Sequence, residues 1–528
     1  MALNMVRPAA ALLILWTAVP AVSQNSRGPL INATQIHREL RVTPGTEAAV
    51  QELLPSFLDY QDIVLFYPKI GYYSSGRVSF SSDYRTFPIA LGPYFGQMIA
   101  EQIFHMWDGM RAAKTLAPAD TFTVAEFGAG DGAMAESILD YIDAQSRSNA
   151  DPRWRQFSDQ LVYACYDRSP ALSAAQLKRN ARFGKRFAAR EGDATDPVST
   201  IPAESLKGVI LSNELPDAFS VHKVILSESG AMEAAFVAPV LAQSAWDKLE
   251  KAVPAATRDL IKKDDQTIRT KLLAGKKDST VYLTRKSFIG LLEALAPTPE
   301  YNADMDLLQF HEVYIPASTL PELADHFKRF AQPYAYEIAK AARGGVTYVN
   351  LGEGKFIQGM GRILKSGYVM TIDYGNNWDG IMPTEFDHLR TFGPSAETKA
   401  DPYHWPTLND ITTDVNFSHL AEEGRAVGLR PMFYGQQQAL QAGTPIMVDE
   451  LPPSRNLTTD DDIADYRMWA DYFRTWAAFK VMVQQKEGTD ATYTYPGTNP
   501  EPLAVQADDL APQLRPRAAA IENRLRGN

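Results

Sequence analysis

Apolar residues gather along this chain into short runs of strand length. The clearest are Phe122 with Val124, Leu161 to Tyr166, Gly208 to Leu211, and Gly367 to Ile372, with a weaker run around Arg186–Ala189. Between them apolar positions recur at helical spacing, as in Phe95, Ile99 and Ile103, in AMAESILDYI up to about Ala144, and in Val349–Ile363 before a Lys365-Ser366-Gly367 stop. Strands alternating with helices predict an α/β fold, a mostly parallel sheet with helices on both faces.

The pattern lapses in four places. Residues 24–90 read as a polar lead-in, a helix around Glu47–Tyr60, and an aromatic, Gly-rich stretch from Gly71 onward. The segment near 145–160 reads as a polar loop. Residues 228–345 hold a charged helical stretch (Ala245–Lys276), strand-like runs at Thr280–Leu283 and HEVYIPAST, and helical segments around Leu320–Arg343. They are expected to form an insertion lobe that covers substrate, or an independent domain. Residues 455–487 read as one amphipathic helix with a Trp469, Phe473, Trp476, Phe479 stripe, and the Pro-, Ala- and Asp-rich tail from 488 as partly disordered. The expected division is a leader (1–23), a cap segment (24–90), a catalytic domain in two parts (91–227 and 346–440) around the insertion (228–345), a helical region (441–487) and the tail (488–528). No repeats are evident.

Chemistry concentrates first at FTVAEFGAGDG, Phe122 to Gly132. A strand that ends in a Gly-rich turn opening a helix binds nucleotides, because backbone amides and the helix N-terminus face the ligand. Glycine lets the backbone turn tightly and approach closely. A dinucleotide fold requires G-x-G-x-x-G; here Glu126 is followed by Gly128, Gly130 and Gly132 at every second position. That form resembles the first motif of S-adenosylmethionine-dependent methyltransferases.

Three further positions follow from strand ends. Asp167 closes the second strand, where a carboxylate accepts hydrogen bonds from both ribose hydroxyls; a helix cap or turn is its alternative role. Asp193 follows the third strand, where methyltransferases often pair an acid with the adenine amino group; an ordinary turn acid is the alternative. The fourth strand ends in Ser212-Asn213-Glu214-Leu215-Pro216-Asp217-Ala218-Phe219. Two acids and an amide at the carboxyl end of a strand, beside the switch point of an open sheet, mark a place for chemistry.

These motifs, taken in order, resemble the MidA-type methyltransferases, which include the mitochondrial complex I assembly-factor methyltransferase. The likeness rests on G-Y-Y, T-F-P and F-G-Q-M-I-A before the Gly-rich turn, D-R-S-P-A-L with Gln176, the N-E-L-x-D-A segment, Ile372-Asp373-Tyr374-Gly375, and Asp410-Ile411-Thr412. It covers about residues 70–440. Departures are Ser220 where the family has proline, Asn416 where an acid is usual, and a missing Thr near Gly435-Gln436. The resemblance implies a Rossmann-like, seven-stranded class I methyltransferase sheet with one antiparallel strand. It implies S-adenosylmethionine as cofactor, with Tyr73, Thr86 and Gln97 beside it. It also implies methylation of a protein arginine, by Glu214 and Asp217 with Asn213 shaping the site, and Asp373 and Tyr374 in reserve. A guanidinium is planar and cationic, so carboxylates are needed to orient it. A non-catalytic assembly factor is the alternative, and an NAD-dependent dehydrogenase a more distant one.

Composition narrows the partners. The chain has 528 residues and a net charge of −11. That length calls for roughly two to four domains or a fold with insertions, and the absence of a basic stripe argues against nucleic acid. One cysteine, Cys165, excludes an intramolecular disulfide framework and a Cys-built zinc site, and the eight scattered histidines disfavour a His-built metal site. Residues 1–23 carry one charge, Arg7, an apolar run from Ala9 to Val19 too short to span a bilayer, and the small residues Ala21-Val22-Ser23. They are expected to be an export signal, which sits awkwardly with a cytosolic cofactor; an organellar or cytoplasmic location is the alternative. The N-x-S/T sites at Asn32, Asn416 and Asn456 do not decide between these.

Overall fold

The structure is a computed structural model that describes residues 39–78, 93–226, 231–340, 345–378, 388–393, 401–446, 479–490, 493–497, 500–503 and 510–527. The leader, Thr86, Asn32, Asn456 and most of the expected 455–487 helix lie outside these residues.

Two short helices come first, α1 (Glu47–Leu53) and α2 (Phe57–Phe66). Ser56 starts the second: its hydroxyl accepts from the Asp59 amide at 3.1 Å while the Asp59 carboxylate accepts from the Ser56 amide at 3.2 Å. The sheet-building part then runs α3 (Pro93–Ala112), β1 (Phe122–Phe127), α4 (Ala133–Ser148), α5 (Arg153–Gln160), β2 (Leu161–Asp167), α6 (Pro170–Asn180), β3 (Phe187–Glu191) and β4 (Leu206–Asn213). Helix α5 occupies the stretch read as a polar loop. Its buried apolar residues, Trp154 and Phe157, are only three apart in an otherwise polar segment, too brief a period to register.

From His222 the chain leaves the main sheet. Strands β5 (His222–Leu226) and β6 (Met232–Ala242), helices α7 (Gln243–Leu249) and α8 (Ala255–Leu272), strand β7 (Thr280–Tyr282), helix α9 (Arg285–Leu295), strand β8 (Leu308–Pro316), helices α10 (Pro321–Arg329) and α11 (Ala331–Lys340), and strand β9 (Val346–Val349) follow. The strands form an antiparallel five-stranded sheet, β7-β6-β5-β9 with β8 on the other edge of β6. The excursion is thus framed by β5 and β9 rather than by residues 228 and 345. The segment before α2 joins this sheet: the Val237 amide donates to the Pro55 carbonyl at 2.8 Å, and Phe57 and Tyr60 share a core with Val237, Leu291 and Phe310.

The main sheet resumes with α12 (Leu351–Ile363), β10 (Leu364–Asn376), β11 (Leu389–Phe392), β12 (Asp410–Thr413), β13 (Val415–Asn416), α13 (Phe417–Arg425), β14 (Leu429–Gln436) and β15 (Phe479–Lys486), with α14 (Arg515–Leu525) near the end. No stop separates α12 from β10. The strand order is β14-β15-β10-β4-β1-β2-β3, with β13 also on β10. Strands β3, β2, β1, β4 and β10 run parallel, and β15 is antiparallel to both neighbours. This is the mostly parallel, Rossmann-like arrangement with one antiparallel strand inserted at its end, as the resemblance implied. Successive residues alternate faces: Val124, Val209 and Met370 pack on α3 and α4, while Ala125, Ile210 and Val369 pack on α12 and α13.

One expectation fails at the C-terminal side. The end of the expected amphipathic helix is a central strand, β15, whose Val481, Met482 and Val483 are all buried. A continuous apolar triplet in a strand covered on both faces does not differ in periodicity from buried helix. The tail contains α14, which packs against α11 through Ala518 and Ala339. Among the described residues no helix is long and apolar enough to cross a membrane, and no cluster of metal-binding side chains is found.

Candidate active site

The carboxyl ends of β1, β2 and β4 meet at one edge of the sheet. The Gly128 amide donates to the Tyr166 carbonyl at 3.0 Å, tying the turn after β1 to β2. Gly128, Gly130 and Gly132 have φ of 72°, 52° and 84°, the left-handed region that side chains resist. A Cβ on Gly128 would lie 2.8 Å from Leu215 Cδ1, and one on Gly132 2.7 Å from Asn180 Nδ2. Helix α6 braces the turn from outside. Gln176 Nε2 donates to the Gly130 carbonyl at 2.9 Å and Asn180 Nδ2 to that of Gly132 at 3.1 Å.

Glu126 points into the sheet and is buried. The Tyr163 hydroxyl donates to its Oε2 at 2.7 Å. Burial pushes its carboxyl up to about 7, against the lowering effect of Tyr163. Asp167 stands at the end of β2; its Oδ1 accepts from the Ser169 amide at 2.9 Å, and burial raises its carboxyl to about 6. Asp193 is more exposed. Its Oδ1 is taken by the amide and hydroxyl of Thr195 at 2.8 and 2.7 Å, and Arg168 lies 3.5 Å from its Oδ2.

The residues fit S-adenosylmethionine. The turn holds three left-handed glycines, at two of which a side chain would strike Leu215 or Asn180, it opens α4, and a carboxylate stands at the next strand end. Glu126, Gly128, Gly130, Gly132 and Asp167 come together there. Gln97 lies on α3, partly buried, next to Gly96, whose Cβ position would meet Ser137 Cβ of α4 at 2.5 Å.

The acids after β4 form a second group beside this cradle, with Leu215 as the shared wall. Glu214 has φ of 49° and its amide donates to the Ile372 carbonyl at 2.8 Å, so the chain turns abruptly at the acid. Asn213 Nδ2 donates to Glu214 Oε1 at 3.0 Å. Asp217 is buried, and its Oδ1 has no hydrogen-bond partner among the described residues. Its carboxyl is raised to about 6, chiefly by burial. Asp373 is held well above the ordinary range by burial and then by the charges of Asp217 and Glu214.

Further polar residues stand around these. Asp410, at the start of β12, is buried, and β12 packs on the Pro216–Ala218 turn. Its Oδ2 accepts from the Tyr73 hydroxyl at 2.7 Å and its Oδ1 from the Ile411 amide at 2.9 Å. Burial lifts its carboxyl to about 7, and the Asp217 charge adds to this. Tyr73, expected beside the cofactor, therefore gives its hydroxyl to an acid of this second group. Tyr374 donates to Thr412, and the Arg390 guanidinium lies 4.7 Å from the Tyr374 ring centroid. Arg390 and His388 both bind Asp414, which they hold down at about 2 against the effect of burial. The sequence signals for these residues were the Gly71-Tyr72-Tyr73, Ile372-Asp373-Tyr374-Gly375 and Asp410-Ile411-Thr412 tracts, which are far apart in the chain.

A family model described as "Putative S-adenosyl-L-methionine-dependent methyltransferase" matches residues 98–434, the stretch that carries most of the MidA-type resemblance. Two crystal structures from Burkholderia thailandensis share the fold at 20% identity, covering 86% of this chain and 93% of theirs. The native one has a TM-score of 0.54, and one bound to S-adenosyl-homocysteine has 0.55. No curated protein matches.

Proposed function

Because the chain belongs to the family of S-adenosyl-L-methionine-dependent methyltransferases, we propose that it methylates a protein side chain, arginine first. The supporting observation is the group of buried carboxyls, Asp217, Asp373 and Asp410, with the half-buried Glu214 next to them, beside the cofactor turn. Burying several carboxylates together is costly unless a cation joins them. A guanidinium supplies the charge and the donors in one plane. The bound cofactor supplies an electrophilic methyl group. The chain's part is to hold the acceptor nitrogen in line and take up its proton.

One observation favours a second reading, that of a cofactor-binding assembly factor without catalysis. Arg390 already lowers the carboxyl of Asp217 from within the chain, so the acids are partly satisfied without a substrate. The experiment that separates the two is incubation of the full chain with methyl-labelled S-adenosylmethionine and a protein extract, followed by hydrolysis to amino acids. Label in methylated arginine supports the first reading. Label in another residue redirects it, and no label favours the second.

A further inference from the structure

The acids of the second group are not equivalent. Asp373 spends both oxygens on backbone amides, Oδ2 on that of Asp217 at 3.2 Å and Oδ1 on that of Tyr374 at 2.8 Å. Asp414 spends both on His388 and Arg390. Such acids hold the backbone and the cation in place. Asp217 is raised by burial as well, with the Tyr374 hydroxyl and, more weakly, the Arg390 charge favouring its ionised form. Asp410 differs, because its second oxygen is held by a side-chain hydroxyl rather than a cation or a second amide. The donor, Tyr73, is only partly buried, so the pair connects a buried carboxylate with the outside.

We propose that Asp410 takes up the proton which the acceptor loses on methylation, with the Tyr73 hydroxyl orienting its carboxylate and passing the proton outward. This rests on the reading above, in that it requires an acceptor that carries a proton on its reacting atom. The acceptor nitrogen bonds to the methyl carbon, the carbon–sulfur bond breaks with its electron pair onto sulfur, and the N–H proton goes to Asp410. One observation outside the acid cluster's own hydrogen bonds supports the placement: strand β12 packs on the turn that carries Asp217. A carboxyl raised to about 7 suits a base working near neutral pH. The groups that act on it are the Tyr73 hydroxyl from the turn after α2 and the Asp217 charge from the turn after β4, with the Ile411 amide from its own strand.

The first test needs no acceptor. In the full chain saturated with S-adenosylhomocysteine, carbon NMR of carboxyl-labelled aspartate identifies Asp410 as the resonance missing from Asp410→Asn. It is expected to titrate near neutral pH. Tyr73→Phe should move that titration upward, because a hydrogen bond to the ionised form is lost. Titration in the ordinary aspartate range, or no response to Tyr73→Phe, overturns the proposal. The second test uses an arginine-rich peptide as acceptor. Asp410→Asn should lower kcat by about 100-fold or more with S-adenosylhomocysteine affinity within about 3-fold, Asp410→Glu should recover part of the rate, and Tyr73→Phe should move the acid limb of kcat upward. Unchanged kcat in Asp410→Asn overturns the proposal. If the wild-type chain transfers nothing to arginine, the arginine reading fails, and the titration alone decides the role of Asp410.

Discussion

The backbone amide of Asp217 donates to the carboxylate of Asp373 at 3.2 Å, joining the turn after β4 to the end of β10. Since the Tyr374 amide takes the other oxygen, one side chain fixes two strand ends. Asp373→Ala would leave two buried amides without acceptors, at a cost of about 1–3 kcal/mol each. Urea unfolding should show a stability loss of that order, with a smaller loss in Asp373→Asn, which keeps one acceptor oxygen.

Asp167 is expected to receive the ribose hydroxyls. Its replacement by Ala would leave two hydroxyls without a charged partner, costing roughly 1.5–3 kcal/mol, or about 10- to 150-fold in affinity. Asp159, exposed on α5, should tolerate the same change. Calorimetry with S-adenosylhomocysteine makes the comparison. Equal binding by both variants, with only Asp167→Ala less stable, would make Asp167 a cap for the Ser169 turn.

His419 on α13 gives the fold a pH dependence. Its Nδ1 lies 2.9 Å from Glu353 Oε2 on α12, and its Nε2 is 3.6 Å from Glu423, which also meets Arg329 of α10 at 2.6 Å. The two glutamates raise its imidazole to about 9 even though burial works against them. A folded-state value above the ordinary 6.5 stabilises the fold fully below about 6.5, and that contribution is lost as pH rises through about 9. His419→Gln should therefore cost on the order of 3 kcal/mol at pH ~6 and much less at pH ~9.5. Urea unfolding at the two pH values reads the difference. An equal loss at both would assign His419 a packing role only.

The parts of this molecule that were legible in its sequence are those with a local signature. The Gly-rich turn declares itself because Gly128, Gly130 and Gly132 each need a left-handed φ. Strands β1, β2, β4 and β10 are short apolar runs because both faces of the sheet are covered. The acids after β4 stand out as charge at the end of such a run. What stayed hidden depends on pairing between distant segments. Strand β15 enters the sheet between β10 and β14 from far along the chain. The approach of Asp410 and Tyr73 to one another depends on β12 and α2 meeting, and Gln61 Nε2 of α2 donating to the Ile411 carbonyl at 3.0 Å is part of that contact. No periodicity in either segment announces it.

The central claim is that the loop after β4 performs methyl transfer rather than merely supporting the cofactor. Glu214 tests it most directly, since its backbone turns at φ of 49° to set the acid beside Asn213, while the cradle of glycines lies on a different strand. The measurement is a pair of numbers on one variant, Glu214→Gln: its affinity for S-adenosylhomocysteine and its rate of methyl transfer to protein. The account predicts affinity within about 3-fold of wild type, because the cradle is intact, and a rate reduced by about 100-fold or more. A Glu214→Gln protein that transfers methyl groups as fast as wild type would contradict it.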